Sequence, residues 1–288
     1  MATLLTSNSY AANSGDNTTF RAYGTAVSNA FADAGWVQVD TNSAIDWATV
    51  VANGTVNTWV GSETWRMDDA LQNTSPVYLK IDYGTLLSVN RGGFAVTLGR
   101  SSNGSGGLTG VFSTNTTLGM TPAGPNTYPC YFTGSSNNIM IGMWMGTTQP
   151  VVLSIERTHD ANGADTAEGV LIAIGGYVGG FNGWSQQFWN FSTGASPVED
   201  TVGVFMQKNT QAGRPPLFHW YPIWFSKGTF LNPSKNLILG MQAHFTPGCL
   251  STVTHYGATH SYVGLDAAEF SNRSFVNASL TMILALWE

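Results

Sequence analysis

With 288 residues, 43% of them hydrophobic, the chain is long enough to bury a substantial core as one large domain or two smaller ones, which excludes disorder. Charged residues make up only 10%, against roughly 25% in an ordinary soluble domain. The surface is therefore uncharged polar, or it is covered by neighbouring subunits, where charge is depleted. A net charge of −6, with 11 basic residues scattered singly, excludes sequence-independent binding to nucleic acid.

Residues 1–17 lack periodicity and read as an N-terminal arm able to lace subunits together. They hold neither a basic stretch nor a long apolar run, which predicts no secretory signal and maturation in the cytoplasm. Asp16 to Thr19 can cap a helix from Phe20 to about Ala34, with Phe20, Tyr23, Val27, Ala30, Phe31 and Ala34 at helical spacing and Gly35 as its stop. Short strands follow around Trp36 to Val39, Trp47 to Val51 and Val56 to Val60.

The clearest pattern comes next. From Glu63 to Met67, Trp65 and Met67 alternate with Thr64 and Arg66; from Val77 to Tyr83, Val77, Leu79, Ile81 and Tyr83 form one apolar face. An antiparallel pair is expected, joined through Asp68 to Pro76, which has room for one helical turn. After a strand at Gly93 to Leu98, the glycine-rich run from Arg100 suggests a boundary. A helix-plus-β lobe would span 18–110 and a β-rich lobe 111–288.

Within the second lobe, strands are expected at Asn138 to Met145, Val151 to Arg157 and Gly169 to Ile174, the last two joined by a long hairpin loop around Asn162-Gly163. The segment 181–230 is rich in aromatic residues, and strands at Asn236 to Phe245 and Phe275 to Leu286 close the chain. No fixed-period repeat appears, and no apolar run is long enough for membrane insertion. The expected fold is mainly β: antiparallel sandwich-like sheets with one N-terminal helix packed on a sheet.

Candidate chemistry is sparse. Asp160, Asn162, Asp165 and Glu168 supply oxygen ligands of the kind calcium prefers, but Gly163 comes fourth in the loop, where an EF-hand needs its glycine sixth. A solvated hairpin tip is the favoured reading. The five histidines form no HExxH or HxH pair. Cys130 and Cys249 lack zinc spacing and read as buried thiols, with one long-range disulfide as the alternative. Gly183-Trp184-Ser185 lacks the second glycine of a nucleophile elbow. No phosphate-binding glycine motif is present and the 17 acidic residues give no local signature of a glycosidase pair, so neither enzymatic activity nor a cofactor is expected, an enzyme degrading surface polysaccharide ranking last among the readings. Trp184, Trp189, Trp220 and Trp224 admit three readings: core packing, a subunit interface, or a platform for stacking sugars.

Five blocks carry a resemblance: Phe20-Arg21-Ala22-Tyr23-Gly24, Ala34-Gly35-Trp36, Asp46-Trp47-Ala48-Thr49-Val50, the stretch from Trp59 to Gly84, and Ile155 to Gly163. Together they resemble a loose group of tailed-bacteriophage virion proteins, which read FRAWG, INWATV, EIWRF-DALQ-APVFLKIEYG and an IERxxDxxG hairpin. The resemblance runs in scattered blocks through about the first 175 residues. It implies a β-rich structural component present in many copies in the virion, at the tail baseplate, tail tip or fibre, with itself (a homo-oligomer) and other virion proteins as partners. No catalytic residue comes with it. The alternatives are a module of the tail that binds host-surface glycan through the four tryptophans, and a capsid or neck decoration protein.

Overall fold

The computed structural model describes residues 2–7, 17–51, 58–86, 91–112, 116–119, 128–143, 151–178, 181–190, 219–227, 230–241, 250–266 and 281–286. Strand β1 (Ala2–Ser7) precedes helix α1 (Asn17–Ala34). Phe20, Val27, Ala30, Phe31 and Ala34 form the buried stripe of α1, as their spacing requires. The helix stops in a paired cap: Gly35 N–H donates to Ala32 O at 2.9 Å and Trp36 N–H to Phe31 O at 3.0 Å. Gly35 sits at φ 91°, a conformation that costs a side chain dearly. The cap turns Trp36 back onto the core, edge-on to Phe31, with its indole N–H donating to Ser135 O at 3.0 Å.

A first sheet contains β2 (Val37–Val39), β3 (Thr58–Arg66), β4 (Tyr78–Leu86), β5 (Arg91–Gly99) and β8 (Thr116–Gly119), adjacent in the order β2-β3-β4-β5-β8. The ribbon β6 (Ser101–Ser102) and β7 (Leu108–Thr109) lies between β5 and β8 in sequence. A second sheet joins β1 to β9 (Tyr128–Ser135), β10 (Asn138–Met143), β11 (Val151–His159), β12 (Asp165–Val178) and β13 (Phe181–Asn190) in chain order. A third has β14 (His219–Lys227), β15 (Phe230–Met241), β16 (Leu250–His255), β17 (Ala258–Asp266) and β18 (Thr281–Leu286), in the order β14-β15-β18-β17-β16. Every strand pairing among the described residues is antiparallel.

The first two sheets and α1 share one apolar core. The helix packs on β9 and β10, its Phe31 stacks on Trp65 of β3, and β8 lies against β12. Val77, Leu79, Ile81 and Tyr83 are all fully buried, which realises the predicted face. The third sheet covers the opposite face of the second, with β15 on β11. Residues 152–159 of β11 are consequently buried without interruption. Leu153 and Ile155 belong to the apolar core, while Ser154 and Glu156 meet β15.

Some local expectations are redrawn. Trp47 to Val51 is no strand, because Asp46 captures it as a turn: its carboxylate accepts from Ala48 N–H at 2.9 Å and Thr49 Oγ1 at 2.6 Å, and its carbonyl from Val50 N–H at 2.9 Å. Residues 2–7 of the expected arm pair with β9 of the same chain. The closing strand β18 is flanked by β15 and β17, so its backbone is engaged within the chain. The loop at 100–110 folds as the β6–β7 ribbon, held by the Asp40 carboxylate, which accepts from Ser102 Oγ and from Gly106 N–H at 3.0 Å. The apolar core continues past this loop, from Leu98 through Phe112 to Ile172. No helix among the described residues is long and apolar enough to cross a membrane.

Candidate functional site

The motif blocks converge inside the molecule. Gly24 of α1 lies under the ring of Trp47, whose indole N–H donates to Glu63 Oε1 at 2.9 Å. Tyr83 OH donates to Glu63 Oε2 at 2.9 Å, and Trp65 Nε1 to the same oxygen at 3.3 Å. Glu63, only 2% exposed, is thus a carboxylate in an apolar core satisfied by neutral donors on aromatic rings. Burial, and then the nearby Glu63 charge, raise the Tyr83 phenol well above its ordinary value, which keeps it a donor. Arg21 ties the Trp47 turn to α1, donating from Nε to Val50 O at 2.7 Å and from Nη2 to Thr49 O at 2.9 Å.

A second convergence bolts the turn after β3 to the second sheet. The wholly buried Arg157 donates from Nη2 to Asp69 Oδ1 at 2.9 Å and from Nε to the other Asp69 oxygen, while Nη1 reaches Ser75 O at 2.8 Å. Ser75 Oγ donates to Ala167 O at 2.9 Å, and Gln72 Oε1 accepts from Val77 N–H at 3.1 Å. The planar guanidinium fits this fork of acceptors.

The third convergence holds the densest ionisable chemistry. Pairing between β11 and β12 shifts between Arg157 and His159, and the irregularity brings Glu156 and His159 together although a regular strand would set them on opposite faces. His159 Nε2 lies 3.0 Å from Glu156 Oε2, and Nδ1 lies 3.1 Å from Asp165 Oδ1. On the facing sheet, β15 departs from its register with β14 between Pro233 and Ile238, which frees Ser234, Lys235 and Asn236 to turn inward. Ser234 Oγ and Lys235 N–H both donate to Glu156, the latter at 2.8 Å, and Asn236 Nδ2 donates to Ser154 Oγ at 3.0 Å. Asn232 accepts from His159 N–H at 3.2 Å and donates to its carbonyl. Lys235 Nζ donates to Gly163 O and stands 3.4 Å from Asp165.

Tyr256 closes this junction. With φ 50° at Tyr256 and 75° at Gly257, the β16–β17 hairpin turns in the mirror-image geometry that matches strand twist, at a cost in strain for the tyrosine. Its ring lies 6.1 Å from the His159 ring, and the Lys235 ammonium stands 5.8 Å from its centroid. Burial opposes charge on His159, but its hydrogen bonds to Asp165 and Glu156 and the Glu156 charge outweigh it, so the imidazole is raised above its usual value. Burial likewise opposes charge on Asp165, yet His159, Lys235 and Asn137 hold it below the usual carboxylate range. Ser234 is fully buried and spends its hydroxyl proton on Glu156.

Among the residues singled out from sequence, Asp160 turns its carboxylate onto its own loop, accepting from Asn162 N–H and Ala164 N–H, each at 2.8 Å. Asn162 is exposed, and Asp165 faces His159, Lys235 and Asn137. The cation beside this loop is the Lys235 ammonium, and no cluster of three His, Cys, Asp or Glu side chains suited to a metal occurs among the described residues. Trp184 and Trp189 lie on β13 opposite Gly175 and Val170; Trp220 and Trp224 lie on β14 opposite Gly240 and Pro233. These strands are edges of the second and third sheets and approach one another. Cys130 is a buried free thiol, and Cys249 lies outside the described residues.

Sequence reasoning passed over Glu63 and the β15 segment Asn232 to Asn236. Glu63 left a usable signal, since it shares strand parity with Trp65 and Met67 and so falls on the apolar face. The β15 residues left none, because their inward turn depends on a break in strand register. Compared with known proteins, the chain matches no protein-family model and no curated protein.

Proposed function

We propose that the chain is a structural component of a tailed-phage virion, of the tail baseplate, tail tip or fibre type, acting by oligomeric assembly. The observation that carries this reading is the use to which the motif residues are put. Arg21, Gly24 and Trp47 lock α1 to the first sheet, Asp69 and Arg157 lock the first sheet to the second, and His159 joins the second to the third. Motifs spent on joining layers express a requirement of shape, which an assembly subunit has to meet in every copy. The low content of charge and the open edges of the sheets, at β1, β2, β8 and β16 among the described strands, suit contacts between copies through edge pairing. Because β18 is an interior strand, such pairing falls to these edges.

Immunogold labelling of intact particles, with an antibody to residues 181–230, tests the reading. Label at the far end of the tail supports a baseplate or fibre component. Label over head or neck transfers the protein to decoration or collar, and particles without label remove it from the virion altogether.

A second reading rests on the tryptophan placement. Two adjoining edge strands that carry Trp184, Trp189, Trp220 and Trp224 suit recognition of a host-surface glycan by ring stacking. Glycan-array binding that vanishes in a folded Trp220→Ala variant would favour it.

A further inference from the structure

The two faces of the second sheet differ in one respect: only the face toward the third sheet carries a buried polar patch. Toward the first sheet it offers Phe132, Ile139, Ile141, Leu153, Ile155 and Ile172. Toward the third, Met140, Val152 and Leu171 share the face with a polar patch, in which Ser154, Glu156 and His159 meet Asn232, Ser234, Lys235 and Asn236. Within the third sheet, Tyr262 OH donates to Lys235 O at 2.8 Å. An apolar interface tolerates small adjustments, whereas a buried polar one holds only while every group keeps its partner.

His159 decides whether this one does. Both ring nitrogens face carboxylate oxygens, at 3.0 Å and 3.1 Å. A neutral imidazole has one N–H to give, so one of the two contacts would then set lone pair against lone pair. The doubly protonated ring satisfies both. It also balances charge, with His159 and Lys235 against Glu156 and Asp165; after loss of one proton a net negative charge stays under cover.

The other groups around the ring leave the balance intact. From the β11–β12 hairpin, Asp160 is exposed and bonded into its own loop, and Arg157 is turned to Asp69 on the far face of the sheet. Glu168 on β12 is exposed. From the β9–β10 turn, Asn137 donates to Asp165. From β16 and β17, Tyr256 and Tyr262 are raised by burial and then by the Glu156 charge, so both stay neutral phenols. His260 on β17 is half-buried, with the Tyr256 turn between it and the junction in sequence.

We propose that the third sheet is a releasable layer, latched onto the β11–β12 hairpin while the His159 ring carries both of its protons and loosened when one is lost. Since the folded imidazole binds its proton more tightly than a free one, the latch is complete below the ordinary histidine value of about 6.5 and fails as pH rises through the higher folded value. The device belongs to the isolated chain and is independent of the assembly proposed above.

Hydrogen exchange of the purified full-length chain, followed by mass spectrometry from about pH 5.5 to 9.5 with the intrinsic rate corrected for, tests it. Peptides covering 250–266 should lose protection by about tenfold or more across the step, while peptides in β4 and β10 hold theirs. His159→Gln should abolish the step. Should that variant fail to fold, Asp165→Asn decides, because an amide can either accept from or donate to Nδ1 and so tolerates the neutral ring. Absence of a step in the wild-type chain, an unchanged step in Asp165→Asn, or a step shared equally by β4 and β10 would each overturn the proposal.

Discussion

The ring of Trp47 fills the space that a side chain on Gly24 would need: a Cβ built there lies 2.0 Å from a ring carbon. Alanine is normally the better helix residue by about 1 kcal/mol. At this position the sign reverses, because the indole is also fixed by Glu63 and cannot slide away. Gly24→Ala should therefore destabilise the protein by about 1–3 kcal/mol in urea unfolding. Adding Trp47→Leu should recover part of that loss, and a midpoint raised by Gly24→Ala alone would contradict the packing described.

Glu63 should show a graded response. In Glu63→Gln the amide oxygen can still accept from Trp47 while its NH₂ donates to Tyr83 OH, and only the long Trp65 bond is lost, so the cost should be about 1 kcal/mol. Glu63→Ala leaves the three aromatic donors, Trp47, Trp65 and Tyr83, without this acceptor and should cost about 3 kcal/mol or more. Denaturant midpoints that rank the two variants equally would show that the carboxylate is not the organising acceptor.

Arg157→Lys should behave as a severe substitution. One ammonium cannot span both oxygens of Asp69 and the Ser75 carbonyl, and the site is fully buried. A loss of about 2–4 kcal/mol is expected in thermal unfolding. A change within about 0.5 kcal/mol, the range of ordinary surface substitutions, would count against the fork.

Asp165 sets an acid limit. Its folded carboxyl is held below the ordinary value of about 3.9, so its contribution is present above that value and is lost as pH falls through the lower folded one. Urea midpoints measured from about pH 2 to 6 should fall less steeply in Asp165→Asn than in the wild type. Parallel curves would remove Asp165 from the acid transition.

Much of the fold could be read before any coordinates were known, wherever one residue's environment follows from its near neighbours. The face Val77, Leu79, Ile81 and Tyr83, the stripe of α1 and its stop at Gly35 are of that kind. The turn at Trp47 is not, since an apolar run that suits a strand is taken over by the side chain of Asp46. The candidate site was legible only as a list of unplaced residues. Asp165 and His159 stood in a loop that looked solvated, and the groups that enclose them arrive from β15, 70 or more positions further along the chain. Both sides also reach the junction through breaks in strand register, and a break reverses the alternation on which a face is predicted.

The burial of β11 on both sides bears on the order in which the protein is made. Its apolar side is covered by elements that precede it or lie close by, but the strand that covers Ser154 and Glu156 begins at Phe230. A ribosome synthesising roughly 5–20 residues per second leaves that side in water for several seconds or longer. A nascent face that was apolar throughout would attract other unfinished chains; here Ser154, Glu156 and His159 interrupt the apolar Met140, Val152 and Leu171 with groups that stay hydrated until the cover emerges. The polar patch on that face thus doubles as protection against aggregation during the interval when the chain is incomplete.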